Sequence, residues 1–276
     1  MLVSESIKRL SVGGDDVLYV MKSGKPIYIQ GHTRRPYYPA LKANGDGTGE
    51  VVLGGRAMYV EDLTGNGNAA VAPSTDTGPI VDVDGGLKFD GVDDYLIVQP
   101  SPSLDFGGKT QITLECWAKS NVAGWKHYWN MISRYSNFLL APNSQEVAMI
   151  ITTSTTGWVP YNYGSIDWGQ ASDPTFDEML WHHYCGVIDT VAGYCKMYVD
   201  GVLRATHPVP NSPLTSDAGP IHLGNREANP TGTYNLSANL SDVRIWDRVR
   251  TQTEIQRDMN RRLLGFEDGL RAYWPF

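Results

Sequence analysis

The sequence has little cysteine: Cys116, Cys185 and Cys195 are the only three in 276 residues. Three cysteines are too few for a disulfide framework, and no Cys/His spacing matches a zinc site. Cys185 and Cys195 flank a predicted hairpin turn and could face each other. Because no secretory signal accompanies them, we expect three buried thiols.

Long apolar runs are also lacking. No stretch approaches the ~20 residues that a membrane-spanning helix needs, and residues 1–16 lack the apolar core of a signal peptide. We therefore expect no membrane insertion, and a chain that is either cytoplasmic at synthesis or a mature form. A place in a virion or a cell-surface assembly is compatible with this expectation.

Positive charge is in short supply. There are 23 Lys and Arg residues against 30 Asp and Glu residues, which gives a net charge of −7. Binding to a nucleic-acid backbone needs a clustered cationic surface, so nucleic acid is not an expected partner. The basic cluster in residues 244–262 has acids interleaved and is typical of a solvated helix surface.

The remaining composition is that of a folded chain rich in turns. Hydrophobic residues make up 41% and charged residues 19%, and there are 29 Gly and 16 Pro. This balance is ordinary for a globular protein. The number of turn-forming residues favours an all-β chain.

A turn followed by a strand stands out at residues 89–98. Asp90, Asp93 and Asp94 surround Gly91, and the β-branched and aromatic residues after them predict a strand. The three carboxylates have two interpretations. They cap the turn by accepting bonds from backbone N–H groups, or they help to form a site for a hard cation such as Ca²⁺.

Four landmarks along the chain carry a family resemblance. They are the turn "DLTGNGN" at residues 62–68, "LKFDGVDDYLIV" at 87–98, "LSDVRIWDRVRTQTEIQRDMNRRL" at 240–263 and "GLRAYWPF" at 269–276. In this order they resemble laminin-G-like, concanavalin A-like jelly-roll domains. The resemblance implies an all-β jelly-roll β-sandwich over residues 57–276, and it says little about function.

Residues 1–56 lie outside this resemblance. Residues 17–20 and 26–29 predict two short strands joined at Ser23 and Gly24 as a hairpin. The segment is too short for a core of its own. We expect a short N-terminal β appendage that leans on the jelly roll or attaches the chain to virion or other assembly proteins.

Local patterns predict several elements of the jelly roll. Residues 112–118 alternate apolar and polar side chains, as in a strand with one face on the core. Asp200 and Gly201 predict a tight hairpin turn. His182 and His183 are consecutive in a strand, which places one inside and one outside. Thr251 and Glu254 form the sequence pattern of a capping box at the start of a short helix.

An aromatic loop is predicted at residues 152–170. Its Gly, Ser and Asn content indicates a loop rather than a strand or helix, yet it carries several large aromatic side chains. Flat rings beside polar groups suit stacking on sugar C–H faces and bonding to hydroxyls, although loop packing is the simpler use. The candidate ligand-binding residues are Trp158, Tyr161, Tyr163, Asp167 and Trp168.

The family resemblance also implies a metal site. In calcium-binding relatives of this fold, a carboxylate at a late strand and oxygens near an early turn often hold one structural ion. Asp242 matches the late acid and Asp90 matches the early turn, and Asp62 is expected near the same edge. We therefore expect structural Ca²⁺, with simple turn capping as the alternative.

Motifs for catalysis are missing from the sequence. A retaining glucanase of this fold carries its carboxylates in an alternating run on one strand, because they must lie ~5 Å apart. Glu115 stands alone on its predicted strand. Asp173, Asp177 and Glu178 lie close together but in a loop that contains proline, and no nucleophile elbow or phosphate loop is present.

The sequence thus favours binding over catalysis. We expect a non-catalytic, lectin-like module that binds a glycan or surface polysaccharide, and a phage or phage-like decoration, fibre or spike protein fits this expectation. Two alternatives stay open. One is a structural or assembly protein that uses the aromatic loop as a protein interface. The other is a polysaccharide lyase or glycoside hydrolase.

Overall fold

The structure is a computed structural model of the chain. It describes residues 6–12, 15–22, 25–30, 41–42, 55–82, 85–126, 129–143, 146–155, 157–159, 168–169, 175–226 and 234–276. Side chains are described in residues 55–82, 85–126, 129–142, 147–155, 175–226 and 234–276.

Strands dominate the described residues. The first eleven are β1 (Ser6–Val12), β2 (Asp15–Lys22), β3 (Lys25–Gln30), β4 (Leu41–Lys42), β5 (Tyr59–Val60), β6 (Ala70–Val71), β7 (Ile80–Val81), β8 (Leu87–Asp90), β9 (Leu96–Val98), β10 (Gln111–Ser120) and β11 (Ile132–Arg134). The others are β12 (Phe138–Asn143), β13 (Glu146–Thr153), β14 (Gly157–Val159), β15 (Trp168–Gly169), β16 (His182–Asp189), β17 (Tyr194–Val199), β18 (Val202–Pro208), β19 (Ile221–Leu223), β20 (Ser237–Trp246) and β21 (Leu270–Trp274). Helical structure in the described residues is a 3₁₀ turn at Pro102–Leu104 and the helix α1 (Gln252–Asp258).

Two antiparallel sheets form a β-sandwich. The eight-stranded sheet has the order β18-β17-β16-β10-β20-β8-β7, with β21 also paired to β20. The ten-stranded sheet has the order β14-β13-β12-β11-β19-β9-β6-β5-β4, with β15 also paired to β13. Neighbours that are distant in sequence show that the chain crosses repeatedly between the sheets. The predicted all-β jelly-roll sandwich is confirmed.

The core lies between the two sheets, and the period of two along each strand decides which side chains enter it. In β10, Ile112, Leu114 and Cys116 are buried in the main apolar cluster. Glu115 and Trp117 alternate with them, so they lie on the outer face of the eight-stranded sheet. All three cysteines are buried free thiols, as the sequence predicts.

Gly186 lets the two sheets come together closely. A Cβ atom added to it would lie 2.3 Å from the Cβ of Met149 on the opposite sheet. Real Cβ atoms do not approach so closely, and the contact atom belongs to the stem of a side chain in a packed core. Glycine is thus needed at position 186, where β13 of the ten-stranded sheet packs directly against β16.

The helix α1 covers the outer face of the eight-stranded sheet, which we call the α1 face. Its Ile255 packs in a buried cluster with Cys185 and Val187 of β16. The predicted capping box is confirmed: Thr251 Oγ1 accepts a bond from the backbone N–H of Glu254, and Glu254 Oε2 accepts one from the backbone N–H of Thr251 at 2.8 Å. Short helices gain their stability from such caps and from packing.

This helix changes the environment expected for two histidines. The sequence predicts one of His182 and His183 inside and one outside. That prediction is wrong, because the side chain of His183 is 1% exposed beneath the α1 face and that of His182 is 15% exposed. Both faces of β16 are covered, so alternation along the strand does not place either ring in solvent.

The N-terminal segment contributes to two sheets. The predicted hairpin is present: β2 pairs with β3 in an antiparallel register, and β1 adds a third strand on the other side of β2. β4 pairs with β5 at the edge of the ten-stranded sheet. The part of the chain that the structure describes includes no helix long and apolar enough to cross a membrane.

Candidate functional site

A continuous row of side chains crosses the outer face of the ten-stranded sheet, which we call the His222 face. Strand pairing sets the row, because each residue lies directly opposite the next across the sheet. Along the row lie Ile150, Leu139, Ser133, His222, Ile97 and Val71. Their sequence neighbours Leu140, Ile151 and Leu223 enter the core, so the row itself faces away from it.

His222 is the unusual member of this row. Its side chain is buried, and its ring centroid lies 6.1 Å from that of Tyr95. Neither ring nitrogen has a hydrogen-bond partner within the described part of the chain. Burial lowers the pKa of His222 from 6.5 to about 4, so the imidazole is neutral at pH 7 and holds one donor and one acceptor.

An apolar patch adjoins His222 on the same face. Leu139 and Ala141 of β12 and Ala148 and Ile150 of β13 form a small buried cluster of their own. They are the outward residues of those strands, since Leu140 and Met149 between them belong to the core between the sheets. The His222 face thus combines apolar area with isolated polar groups, as ligand sites generally do.

The guanidinium of Arg226 contacts two aromatic rings. The Cζ of Arg226 is 4.3 Å from the ring centroid of Tyr135 and 3.7 Å from that of Tyr234. We call these three residues the Arg226 cluster. Ser133 Oγ donates to the carbonyl of Arg226 at 3.3 Å. Since Ser133 lies opposite His222, this bond holds the cluster over the same face.

Asparagine side chains tie the Arg226 cluster to the acidic turn, residues 90–94. Asn225 Oδ1 accepts from the backbone N–H of Arg226, and Asn225 Nδ2 donates to Asn235 Oδ1. Asn235 Nδ2 in turn donates to the carbonyl of Val92. Both asparagines are buried. The acidic turn therefore borders the His222 face.

The acidic turn is held by bonds within itself. Asp90 Oδ1 accepts from the backbone N–H of Val92 at 2.8 Å and of Asp93 at 3.3 Å. Arg56 Nη1 lies 2.6 Å from Asp94 Oδ1. Burial and the charge of Asp90 raise the pKa of Asp94 to about 6, against the opposing effect of Arg56. These contacts are those of turn capping.

The three residues predicted to bind a metal do not gather in one place. In the described residues, the acids whose ligand atoms lie within 4.8 Å of one another are Asp90, Asp93 and Asp94. Asp62 Oδ1 instead accepts from the backbone N–H of Tyr273 at 3.0 Å. The carboxylates of the acidic turn already accept N–H bonds and the Arg56 guanidinium, so the turn closes without an ion. Binding of Ca²⁺ stays a prediction.

Asp242 has a structural setting of its own. It lies at a bulge of β20 with φ of 50°, in the left-handed region that few residues other than glycine adopt. Asp242 Oδ1 accepts from the Tyr273 hydroxyl at 2.6 Å and lies 3.3 Å from Arg244 Nη2. These contacts join it to the α1 face rather than to the acidic turn.

The prediction of a loop at residues 152–170 is wrong in part, because residues 152–153 end β13 and residues 157–159 and 168–169 form β14 and β15. The backbone of Trp158 pairs with Thr152, and that of Trp168 pairs with Val147, so both lie beside β13 at the edge of the ten-stranded sheet. Tyr161, Tyr163 and Asp167 lie outside the described residues. Their role in binding stays a prediction.

A buried charge network fills the α1 face. Glu115 accepts from Trp246 Nε1 at 2.9 Å, and its carboxylate lies 3.3 Å from His183 Nε2 and 3.4 Å from Arg244 Nη1. Burial alone would raise the pKa of Glu115, but His183, Arg244 and Arg250 outweigh it and lower that pKa to about 2. The lone acid of β10 is therefore an ion-pair member under a helix, far from the geometry of a proton donor to a substrate.

The residues of the His222 face were not singled out by sequence reasoning. One signal was present. Ile221 and Leu223 are apolar, so alternation along the strand turns them to the core and places His222, between them, on the outer face. The Arg226 cluster left no such signal. Arg226 and Tyr135 are distant in sequence, and only strand pairing between β11 and β19 brings them together.

Comparison with known proteins places the chain in a family. Residues 90–256 match the sequence profile of the concanavalin A-like lectin/glucanases superfamily. The chain belongs to this superfamily. The match covers more than half of the chain, and it confirms the family that the sequence resembles. No curated protein sequence matches the chain.

Solved structures of similar fold come from bacterial binding proteins. The binding domain of botulinum neurotoxin serotype G has a TM-score of 0.53 and 13% identity, over 70% of this chain and 46% of that one. A Bacteroides ovatus protein proposed to bind carbohydrate has a TM-score of 0.50 and 16% identity, over 68% and 52%. The binding domain of Paraclostridial Mosquitocidal Protein 1 has 0.50 and 10%, over 71% and 52%. This chain thus spans about half the length of each of these three solved structures. Similarities at this level of sequence identity show the fold alone.

Proposed function

We propose that this protein is a non-catalytic glycan-binding module whose site is the His222 face. The superfamily includes lectins, and one solved structure of similar fold is a protein proposed to bind carbohydrate. Sugars present apolar C–H faces and outward hydroxyls. The His222 face offers aromatic rings, a small apolar patch and separate polar groups, which match both features.

The observation that carries the proposal is the buried imidazole of His222. A buried polar atom without a hydrogen bond costs about 1–3 kcal/mol, so a ligand that bonds the ring nitrogens of His222 would recover that cost. A sugar hydroxyl can donate to one ring nitrogen and accept from the other. Ligand binding would then recover the bonds that the folded chain leaves unmade.

The aromatic loop is proposed as a second wall of the same site. Trp158 and Trp168 flank β13, whose outward residues Ala148 and Ile150 belong to the His222 face. We propose that Trp158, Tyr161, Tyr163, Asp167 and Trp168 contribute stacking and hydroxyl contacts there.

The absence of catalysis is part of this proposal. Glycoside hydrolysis needs two carboxylates facing one sugar, ~5 to ~9 Å apart. The strand positions of the His222 face whose side chains are described carry no carboxylate. Glu115 belongs to the buried network of the α1 face. A lyase or hydrolase would show turnover of a bound polysaccharide, which the proposal does not expect.

Binding to an array of bacterial polysaccharides tests the proposal, first with Ca²⁺ and then with a chelator. The wild-type chain is expected to bind a defined subset, and His222→Phe to weaken that binding at least about 10-fold, as loss of one or two hydrogen bonds implies. His207→Phe is the matched control, because His207 lies on β18 of the other sheet. A folded protein that binds nothing, or that binds equally with Phe at 222, overturns the proposal.

Two variants test the finer assignments on the same array. Trp158→Ala is expected to weaken binding if the aromatic loop forms the second wall. Asp90→Asn with chelator tests the predicted Ca²⁺: if an ion shapes the site, chelator weakens the wild-type chain and not the variant. Oligomers that form through the loop, without any glycan binding, would favour a protein interface instead.

We also propose that the module is carried on a phage or phage-like particle as a decoration, fibre or spike component. The support is the separate sheet formed by β1, β2 and β3, whose described residues pair only among themselves. Such a segment suits attachment to another particle protein. Mass spectrometry of purified particles from the producing cells would detect the chain, and its absence from them would contradict this proposal.

A further inference from the structure

We infer that the His222 face binds a stretch of about three consecutive sugars of a polysaccharide chain, and that Asn137 and Thr152 form its second hydrogen-bonding subsite. This inference rests on the proposed function and goes one step further, from glycan binding to the length of chain that the site takes. Its basis is a second set of buried polar atoms without partners on the same face of the sheet.

Asn137 and Thr152 are neighbours on the outer face of the ten-stranded sheet, and we call them the Asn137–Thr152 pair. The backbone N–H of Thr152 donates to the carbonyl of Asn137 at 2.9 Å, where β12 begins and β13 ends. Phe138 and Ile151, which adjoin them in sequence, belong to the core between the sheets. Alternation along the paired backbone therefore turns Asn137 and Thr152 outward, beside the apolar patch.

Each member of the pair keeps one polar atom unbonded. Asn137 Oδ1 and Thr152 Oγ1 are buried, and neither has a hydrogen-bond partner in the part of the chain that the structure describes. Asn137 Nδ2 donates to the carbonyl of Thr215, and a carbonyl only accepts, so Oδ1 is the free end of the amide. The pair thus offers an acceptor at Asn137 and a hydroxyl at Thr152, which suit the hydroxyl groups of a sugar.

The backbone around the pair is held in place before a ligand arrives. The backbone N–H of Thr215 donates to the carbonyl of Thr152 at 3.0 Å, and Thr215 Oγ1 donates to the carbonyl of Ser136 at 2.6 Å. Asn137 is 1% exposed, whereas Thr152 is half-buried, so the pair borders solvent. Preorganisation of this kind reduces the entropy lost on binding.

The pair lies too far from His222 for one sugar to reach both. In the sheet order β19, β11, β12, β13, Asn137 is two strands from His222 and Thr152 is three strands away. Both are also offset by two residues from the row of His222, which puts them about 12 Å and about 16 Å from it. A sugar unit covers about one strand spacing, ~5 Å, so about three consecutive sugars span this distance.

The apolar patch lies between these two hydrogen-bonding places. Leu139 and Ile150 occupy the row of His222 and adjoin Asn137 and Thr152 along their strands. The C–H face of a middle sugar can rest on them while the sugars on either side bond to His222 and to the pair. A site centred on His222 alone would bind a single end sugar as tightly as a longer stretch.

The experiment measures affinity by titration calorimetry with oligosaccharides of one to about six sugars, cut by partial hydrolysis from the polysaccharide that binds best on the array. Affinity of the wild-type chain is expected to rise about 10- to 100-fold up to about three sugars and then level off, as two further hydrogen bonds imply. Thr152→Val removes the hydroxyl and keeps the branched shape, so it should weaken the longest probe about 3- to 10-fold and leave the shortest unchanged. Thr206→Val makes the same change on β18 of the other sheet and should weaken neither.

The outcomes separate the inference from the function on which it rests. Equal affinity for the shortest and the longest probes, still dependent on His222, overturns the inferred chain length and leaves glycan binding standing. A length dependence that is the same in Thr152→Val as in the wild-type chain overturns the second subsite. Failure of the oligosaccharides and of every polysaccharide on the array to bind contradicts both proposals. Circular dichroism of each variant confirms that the fold is kept.

Discussion

The two outer faces of the sandwich differ in the charged groups that lie beside a buried histidine. On the α1 face, Nε2 of His183 lies 3.3 Å from the carboxylate of Glu115, and a helix covers both. On the His222 face, no ion-pair partner lies beside the buried ring within the described residues, and, as for His183, neither ring nitrogen has a well-formed hydrogen bond there. The contact between His183 and Glu115 stabilises the fold, whereas the ring nitrogens of His222 can still form hydrogen bonds with a ligand. We take this difference as the mark of the functional surface.

The helix α1 explains why the α1 face is closed. The carbonyls of its last turn have no partners within the helix, and partners come from the sheet. Arg244 Nη1 donates to the carbonyl of Asp258, and Trp117 Nε1 donates to that of Met259. Arg250 pairs with the Asp258 carboxylate. The polar side chains of the sheet thus form their hydrogen bonds and ion pairs with the helix above them.

The largest expected effect comes from breaking the closed network. Glu115→Ala leaves His183 buried without its carboxylate and Arg244 with Asp242 alone, and removal of one partner of a buried ion pair costs about 3–5 kcal/mol of unfolding free energy. Urea denaturation measures this loss. Glycan affinity, measured where the variant is folded, should stay within about 2-fold.

An exposed acid provides the control for that experiment. The side chain of Asp268 is 99% exposed, so Asp268→Ala should change the free energy of unfolding by less than about 0.5 kcal/mol. A loss below about 1 kcal/mol in Glu115→Ala would show that the α1 face is not held by its charges, and the contrast between the faces would fail.

Acid pH should weaken the fold through His222. Its pKa is about 4 in the folded chain and near 6.5 when unfolded, so between these values the unfolded chain binds more protons. Stability from this residue is therefore complete above pH 6.5 and falls as the pH drops toward 4. At pH 5 the loss is about 2 kcal/mol, from 1.36 kcal/mol for each pKa unit.

The variant His222→Phe isolates this contribution, because every other titrating group is unchanged. Urea midpoints of the two proteins, compared at pH 7 and pH 5, should diverge in favour of the variant as the pH falls. A constant difference across this range would mean that His222 is not held neutral by burial.

At pH 7 the same substitution should stabilise the unliganded protein by about 1 kcal/mol, while glycan affinity drops. Phenylalanine fills similar space and brings no ring nitrogen that must stay unbonded in a buried place. Gain of stability with loss of binding is the usual trade at a functional position. Destabilisation by more than about 1 kcal/mol would instead give His222 a structural role.

The smallest effect is expected at the helix cap. Thr251→Ala removes one half of the capping box and should cost about 1 kcal/mol. Glycan binding should be unaffected, because α1 lies on the opposite face of the molecule. Thr206→Ala, at an exposed position of β18, serves as the control. A change in glycan affinity with the cap removed would mean that the two faces are coupled.

Local sequence patterns predicted much of the fold. The capping box at Thr251, the tight turn at Asp200 and Gly201, and the alternation along β10 depend on neighbours within a few residues, so they can be recognised in the sequence. The family landmarks supplied the jelly-roll fold, whereas the order of the strands in each sheet comes from the structure. Burial of His183 could not be predicted in this way, because the helix that covers it lies about 70 residues further along the chain.

The site shows the same limit more strongly. Alternation places His222 on the outer face of its strand, yet nothing local indicates that its nitrogens lack partners. Asp242 was grouped with Asp90 by resemblance, whereas pairing of β20 with β21 brings it to Tyr273. The Arg226 cluster joins three separate segments. Contacts of this kind depend on strand order and register, which the sequence specifies only through the complete fold.

Nuclear magnetic resonance of the histidine side chains tests the central claim most directly. In protein labelled with ¹⁵N in its imidazoles, the polysaccharide that binds best on the array is added in steps. We predict that the His222 ring resonances shift with the ligand and saturate, while those of His183 stay in place. Unchanged His222 resonances in a protein that binds the glycan, or shifts confined to His183, would contradict the account.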